Sequence, residues 1–94
     1  MVDIPPTLRV AIRDPCMQGV PLEVFLRCHV WLDTLEFRAL AARRVRSAMR
    51  IRLITVRRTL SFLCDQGYLE RGPAWRNGTS TFRIVRQVVP AGTT

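Results

Sequence analysis

Apolar residues recur at helical spacing in three separate parts of this chain. Between Pro21 and about Asp33 they return every three or four positions, and Pro21 suits a first helical turn, where its missing amide has no partner. From about Arg38 to Met49 the same spacing returns with arginines on the remaining faces. The pattern predicts a first, largely apolar helix and a second helix that is amphipathic and basic.

The third apolar stretch follows a tight turn at residues 50–53. Val56, Leu60 and Leu63 form a narrow stripe, so this helix is expected to bury one face and present the opposite face to solvent. Gly67 marks its end, because a residue without a Cβ can adopt the left-handed conformation that closes a helix. The sequence thus predicts two successive helices joined by a short turn.

Strand signals lie before the second helix and after the third. Residues 34–37 contain β-branched and aromatic side chains and are predicted as a short edge strand. A further strand begins at residues 68–69, and Asn77 and Gly78 predict a two-residue hairpin turn because both tolerate positive φ. The returning strand is expected to turn two side chains toward the core, Phe82 and Ile84.

The chain is short enough to form one domain with one core. At 94 residues, dividing it would leave each half too little apolar surface to offset its own ordering entropy. Proline and glycine are frequent in residues 1–20, which are predicted as an N-terminal arm with one brief element. The domain is expected to span residues 21–89, with a flexible tail at residues 90–94. The expected fold class is α+β, mainly α-helical with a small β-hairpin.

The charge of the chain is high and unevenly distributed. Its formal net charge is +8, and all 15 basic residues are arginine. Residues 37–64 contain eight arginines and no Asp or Glu. Keeping these charges together costs self-repulsion, which a polyanion offsets because neutralising its phosphates releases counterions. Nucleic acid is therefore the expected partner, ahead of an anionic membrane surface.

A family resemblance lies in residues 51–72, which read IRLITVRRTLSFLCDQGYLERG. This segment resembles the recognition helix and the start of the wing in bacterial and phage-type winged helix-turn-helix regulators. The matching positions are Thr55, Val56, Arg58, Leu60, Leu63, Gly67, Tyr68 and Leu69. The chain departs from the family at Arg50, where the turn usually has a small residue, and at Arg52 and Leu53, where a Ser or Thr is common. The resemblance implies a three-helix winged helix-turn-helix domain with a C-terminal wing.

The resemblance also implies how such a domain contacts double-stranded DNA. In the family, the third helix reads base edges in the major groove, the second helix and its turn touch phosphates, and the wing reaches the backbone or the minor groove. The implied major-groove residues are Ile54, Thr55, Arg57, Arg58 and Ser61. The other implied DNA contacts are Arg43, Arg44, Arg46, Arg50, Arg52, Arg76 and Asn77. For Asn77, a role in forming the hairpin turn is favoured over a DNA contact.

Candidate chemistry beyond binding is sparse. Cys16, Cys28 and Cys64 have no close repeated spacing, so neither a disulfide framework nor a zinc site is expected. One His and seven scattered carboxylates provide no nucleophile–base pair and no metal cluster. We therefore expect no enzymatic activity, cofactor, metal or small-molecule substrate. No apolar run reaches the length of a membrane span and no signal peptide is apparent, so no membrane association is expected and the expected location is cytoplasmic.

The leading hypothesis is a sequence-specific transcriptional regulator that binds double-stranded DNA, expected as a homodimer on a two-fold site. One alternative is an accessory DNA-binding protein of a mobile element, acting in excision, replication or partition, because such proteins share the fold. Another is a winged-helix interaction module whose basic face docks an acidic protein.

Overall fold

The computed structural model describes residues 6–85, so the predicted tail at residues 90–94 lies outside the described part of the chain. The helices are α1 (Pro6–Arg13), α2 (Val20–Trp31), α3 (Ala42–Met49) and α4 (Leu53–Asp65). The strands are β1 (Arg38–Ala39), β2 (Leu69–Arg71) and β3 (Thr81–Ile84), and a short 3-10 helix (Pro15–Met17) connects α1 to α2. Four helices and a small antiparallel sheet confirm the expected α+β class for these residues.

The part predicted as an N-terminal arm folds onto the core. Ala11 in α1 and Met17 in the 3-10 helix are fully buried. The Tyr68 hydroxyl donates a hydrogen bond to Asp14 Oδ2 at 2.7 Å, and the Thr7 hydroxyl donates to the Val85 carbonyl. Burial, together with the bond to Asp14, raises the pKa of the Tyr68 phenol above its usual value. Hydrogen bonds from Tyr68 to Asp14 and from Thr7 to Val85 thus join the N-terminal segment to residues far along the chain.

Residues 34–37 form a turn, so the edge strand predicted there is wrong. Asp33 Oδ1 accepts hydrogen bonds from the amides of Leu35 at 2.9 Å and Glu36 at 2.8 Å. Its other oxygen accepts one from Arg38 Nε at 2.7 Å, within an ion pair. The two amides and the Arg38 guanidinium hold the pKa of Asp33 below its usual value. The carboxylate competes successfully for backbone amides that a strand would use in pairing.

The strand forms instead at Arg38–Ala39, as β1. Helix α3 therefore begins at Ala42 rather than near Arg38 as predicted. Arg38 lies opposite Phe82 of β3, and the Leu40 amide donates to the Ser80 carbonyl at 3.0 Å. Leu40 is buried from this extended segment, although its spacing resembles that of a helix position. The second helix is shorter than predicted because a distant strand provides hydrogen-bond partners for these residues.

The sheet has the order β1-β3-β2, which places the last strand of the described chain at its centre. Leu69 of β2 lies opposite Ile84 of β3 in an antiparallel register. Phe82 and Ile84 are buried, which confirms the two predicted core positions. On the other face, Arg83 pairs with Glu70 at 2.8 Å. One face of the sheet therefore packs on the helices while the other carries charged pairs.

The hairpin between β2 and β3 ends in a three-residue loop rather than the predicted two-residue turn. The Gly78 amide donates to the Trp75 carbonyl and the Trp75 amide to the Thr79 carbonyl, both at 2.8 Å. Arg76 and Asn77 are the central residues, and Gly78 alone in this loop has positive φ, at 83°. Such a loop needs one left-handed residue where a two-residue mirror-image turn needs two. The Asn77 side chain accepts the Thr79 amide at 3.0 Å, which supports a turn role for Asn77.

Helix α4 packs against both α2 and α3 and supplies the centre of the core. Its predicted stripe of Val56, Leu60 and Leu63 is buried, and each such aliphatic side chain contributes about 1.5 to 3 kcal/mol when fully buried. The helix closes at Gly67 as predicted, with φ of 83°. The Gly67 amide donates to the Cys64 carbonyl at 3.1 Å and the Tyr68 amide to the Leu63 carbonyl at 2.9 Å. These two bonds are the Schellman pattern, which leaves the exposed face of α4 at a fixed orientation to the sheet.

Candidate nucleic-acid interface

Helices α3 and α4 are joined by three residues, 50–52, and the first of them has an unusual backbone. Arg50 has φ of 56° and ψ of 40°, the left-handed conformation, and its amide donates to the Arg46 carbonyl at 2.7 Å. Among residues 6–85 it is the only residue other than glycine with positive φ. That conformation costs an L-residue about 1 to 2 kcal/mol. Arginine therefore carries a conformational cost at this position that glycine would avoid.

The exposed face of α4 contains four of the five residues predicted to reach the major groove. Ile54, Arg57, Arg58 and Ser61 are exposed and spaced as i, i+3, i+4 and i+7, which places them on one side of the helix. Ile54 is 55% exposed, a large value for an isoleucine in a domain of this size. The fifth residue, Thr55, is half-buried. The face is continuous and combines two cations with a hydroxyl and an apolar side chain.

Apart from Arg38, the remaining arginines of the basic stretch lie on α3 and in the turn before α4, and they have no ion-pair partner among residues 6–85. Arg43, Arg44, Arg46, Arg50 and Arg52 are all exposed. The ion pairs within residues 6–85 are Asp33 with Arg38 and Glu70 with Arg83. Of the eight arginines between residues 37 and 64, Arg38 is thus neutralised and the other seven make no ion pair with a carboxylate of the described chain. The surface of α3, the turn and α4 is strongly positive.

One of these arginines is held in place by an aromatic ring. The guanidinium of Arg44 lies 5.7 Å from the centre of the Trp31 ring. Trp31 is partly buried against the core, and the guanidinium of Arg44 lies beside its ring. A cation at this distance from an indole face is attracted by the ring and loses conformational freedom. Arg44 is therefore better ordered for binding than an isolated surface arginine.

A groove of about 470 Å³ lies between the start of α3, the middle of α4 and the hairpin. Its polar walls carry three arginines and three hydroxyl groups, from Arg43, Arg57, Arg71, Ser61, Thr79 and Ser80. Its apolar lining includes Leu40, Leu60 and Phe82. Among residues 6–85, no carboxylate lines the groove. The structure thus brings Arg43 and Arg57, predicted from separate helices, to one concave site.

Arg71 is a member of this groove that sequence reasoning missed. It lies opposite Phe82 in the β2–β3 ladder, and its guanidinium is 5.3 Å from the centre of the Phe82 ring. Its position depends on which face of β2 turns toward α4, and this follows from the strand register. The signal available in the sequence was its place at the end of a predicted strand that follows a basic helix.

The tip of the hairpin stands apart from the groove. Arg76 and Asn77 are exposed there and do not line it. Trp75, beside them, is 56% exposed. The structure therefore groups the predicted residues into the basic surface of α3 and α4, and a separate pair at the hairpin tip.

The cysteines are not arranged for chemistry at this surface. Cys28 is fully buried, and burial raises the pKa of its thiol to about 12. Within residues 6–85, no three His, Cys, Asp or Glu side chains come together as metal ligands would. No helix in the same part of the chain has the length and apolar character needed to cross a bilayer.

Three features make up the candidate interface. They are one exposed helix face, seven arginines that form no ion pair within residues 6–85, and a concave groove beside the helix. Such a surface is suited to binding a polyanion of extended shape. Comparisons with protein-family models, curated proteins and solved structures gave no match.

Proposed function

We propose that this protein binds double-stranded DNA through the exposed face of α4, as a sequence-specific transcriptional regulator with a winged helix-turn-helix fold. The observation that carries the proposal is that seven exposed arginines on α3, the following turn and α4 have no ion-pair partner within residues 6–85. The element order α2-β1-α3-α4-β2-β3, with β3 between the other strands, agrees with this fold. A homodimer on a two-fold site would double the contact that one small domain makes.

In this proposal, α4 lies in the major groove. The major groove of DNA is about 12 Å wide and admits one helix. The exposed residues of α4 lie on one side of that helix, so they can all face the base edges. Arg57 and Arg58 can each form a bidentate pair with a guanine edge, Ser61 can hydrogen-bond a base, and Ile54 offers an apolar surface to a thymine methyl. The arginines of α3 and the turn then face the phosphates, where they contribute affinity without reading sequence.

The test compares one arginine from each class. Arg58→Ala should reduce discrimination between a selected site and random DNA by about 1 to 3 kcal/mol, because it removes one bidentate base contact. Arg46→Ala, which removes the same charge from α3, should weaken binding to both DNAs by a similar factor. Arg13→Ala, at an exposed position of α1, is the control for charge alone. Equal loss of discrimination in the α3 and α4 variants would reject α4 as the reading helix.

The same arginines would also attract an acidic protein, and salt dependence separates the two partners. DNA binding should weaken steeply as salt rises, since each phosphate contact releases a counterion, while a selected site keeps its advantage over random DNA. A protein that binds no DNA even at low salt would be better explained as an interaction module for an acidic protein partner.

A further inference from the structure

The groove beside α4 has features that an extended basic surface does not require. Its volume of about 470 Å³ is within the range of small-ligand sites, which are typically concave. Three arginines from three different elements meet at it: Arg43 from α3, Arg57 from α4 and Arg71 from β2. Convergence of this kind concentrates positive potential at one place.

We propose that this groove binds a phosphate group, which the backbone of the bound DNA strand supplies, and that Arg71 is one of its ligands. The assignment of the phosphate to DNA rests on the proposed function. The groove offers guanidinium and hydroxyl donors, and none of the carboxylates in the described part of the chain lines it to repel an anion. Arginine suits this role because its planar fork can bind two phosphate oxygens at once.

Leu60 and Phe82 line the same space as the arginines, but both are almost fully buried, at 4% and 2% exposure. They therefore offer a bound ligand almost no apolar surface. The groups of the groove that can select a ligand are its guanidinium and hydroxyl donors, which suit the oxygens of a phosphate.

Arg71 is positioned for this contact before any ligand arrives. Its guanidinium lies 5.3 Å from the centre of the Phe82 ring. Stacking of this type restricts the side chain, so less conformational entropy is lost on binding. Arg57 and Ser61 belong both to the groove and to the exposed face of α4, so a duplex lying along α4 passes over the groove.

The experiment measures DNA affinity against salt for two matched variants of the whole chain. Arg71→Gln removes one charge from the groove and keeps part of the side chain over Phe82, while Arg13→Gln removes one charge from an exposed position of α1. With a random-sequence duplex between about 50 and 200 mM KCl, the slope of log K against log salt should become shallower by about 0.9 for Arg71→Gln. The slope for Arg13→Gln should equal that of the wild type. Circular dichroism melting of both variants checks that they are folded.

A second measurement tests the groove independently of DNA. Inorganic phosphate is titrated into ¹⁵N-labelled protein at constant ionic strength with chloride as the reference anion, and the arginine Nε–H signals are followed.

The two experiments are interpreted together. Chemical-shift changes confined to Arg43, Arg57 and Arg71, together with the reduced salt slope, support the proposal. A wild-type slope for Arg71→Gln overturns the DNA contact. Phosphate shifts in a protein that binds no DNA would reject the proposed function and assign the groove to a free phosphate. Absence of both effects in a protein that binds DNA would overturn the groove alone.

Discussion

The turns at the two ends of α4 each contain a residue with positive φ, but the two residues differ in every other respect. At the end of the helix stands Gly67, followed by the buried Tyr68. At its start stands Arg50, an exposed cation in the same backbone region. Glycine adopts this conformation without steric cost, whereas arginine does not. One turn follows the ordinary rule of helix closure and the other departs from it.

The difference shows where the chain gives up stability. The turn at Gly67 only has to close α4 and direct the chain into β2, and glycine does this at the lowest cost. The turn at Arg50 lies within the basic surface, where an added positive charge serves the proposed contact with phosphates. Strained backbone residues tend to gather at functional sites, which agrees with a binding role for Arg50. Substitutions in the two turns should therefore have opposite effects.

The largest effect on stability is expected for Tyr68→Phe, in the turn that follows α4. It removes the hydroxyl that donates to Asp14 at 2.7 Å and should lower the free energy of unfolding by about 1 to 2 kcal/mol. Because the pKa of Tyr68 is raised in the folded protein, its contribution is complete below the unfolded pKa of about 10 and is lost as pH rises above it. Urea unfolding of both proteins at neutral pH and above pH 10 measures this. A constant difference across that range would contradict the role of the phenol.

Gly67→Ala should have the next largest effect. A Cβ at this position would meet no other atom within 4 Å, so the cost lies only in the left-handed backbone. We expect a loss of about 1 kcal/mol in the free energy of unfolding, with DNA affinity unchanged. Thermal melting and urea unfolding test the stability. Gly67→Asn is the matched control, since asparagine tolerates this conformation and should lose less. Equal losses for the two variants would place the cost elsewhere.

Arg50→Gly should have the smallest effect on stability and the opposite sign. Relief of the strained backbone is largely offset by the greater freedom of glycine in the unfolded chain, so the expected gain is at most about 0.5 kcal/mol. The same variant should bind all DNA sequences more weakly, because one phosphate contact is removed. Arg50→Asn, which loses the charge and tolerates the conformation, should weaken DNA binding equally. A protein less stable by more than about 1 kcal/mol would show that the Arg50 side chain itself stabilises the turn.

Local signals in the sequence were sufficient for α4 and its end. Val56, Leu60 and Leu63 repeat at a spacing that only a helix can bury on one side, and Gly67 stops the pattern. These features depend on neighbours in the chain. The exposed face opposite the stripe followed directly, so most of the residues predicted for the major groove do lie together on the surface.

The features that the sequence did not reveal depend on partners far along the chain. Strand β1 has two residues and is defined by pairing with β3, more than 40 positions later. Leu40 was assigned to a helix because its spacing fits one, yet it is buried from an extended segment. Arg71 reaches the groove only because the register of β2 turns it toward α4. Non-local pairing of this kind leaves no periodic trace in the sequence.

The central strand of the sheet is also the last strand that the structure describes, and this order affects how the chain can fold while it is being synthesised. Neither β1 nor β2 has a strand partner until β3 has left the ribosome, since both pair with it. The helices emerge first, and their apolar sides are at risk of aggregation until β3 has paired with β1 and β2. A nascent chain stalled before Thr81 would therefore be held by helix contacts alone, and the sheet can form only once β3 has left the ribosome.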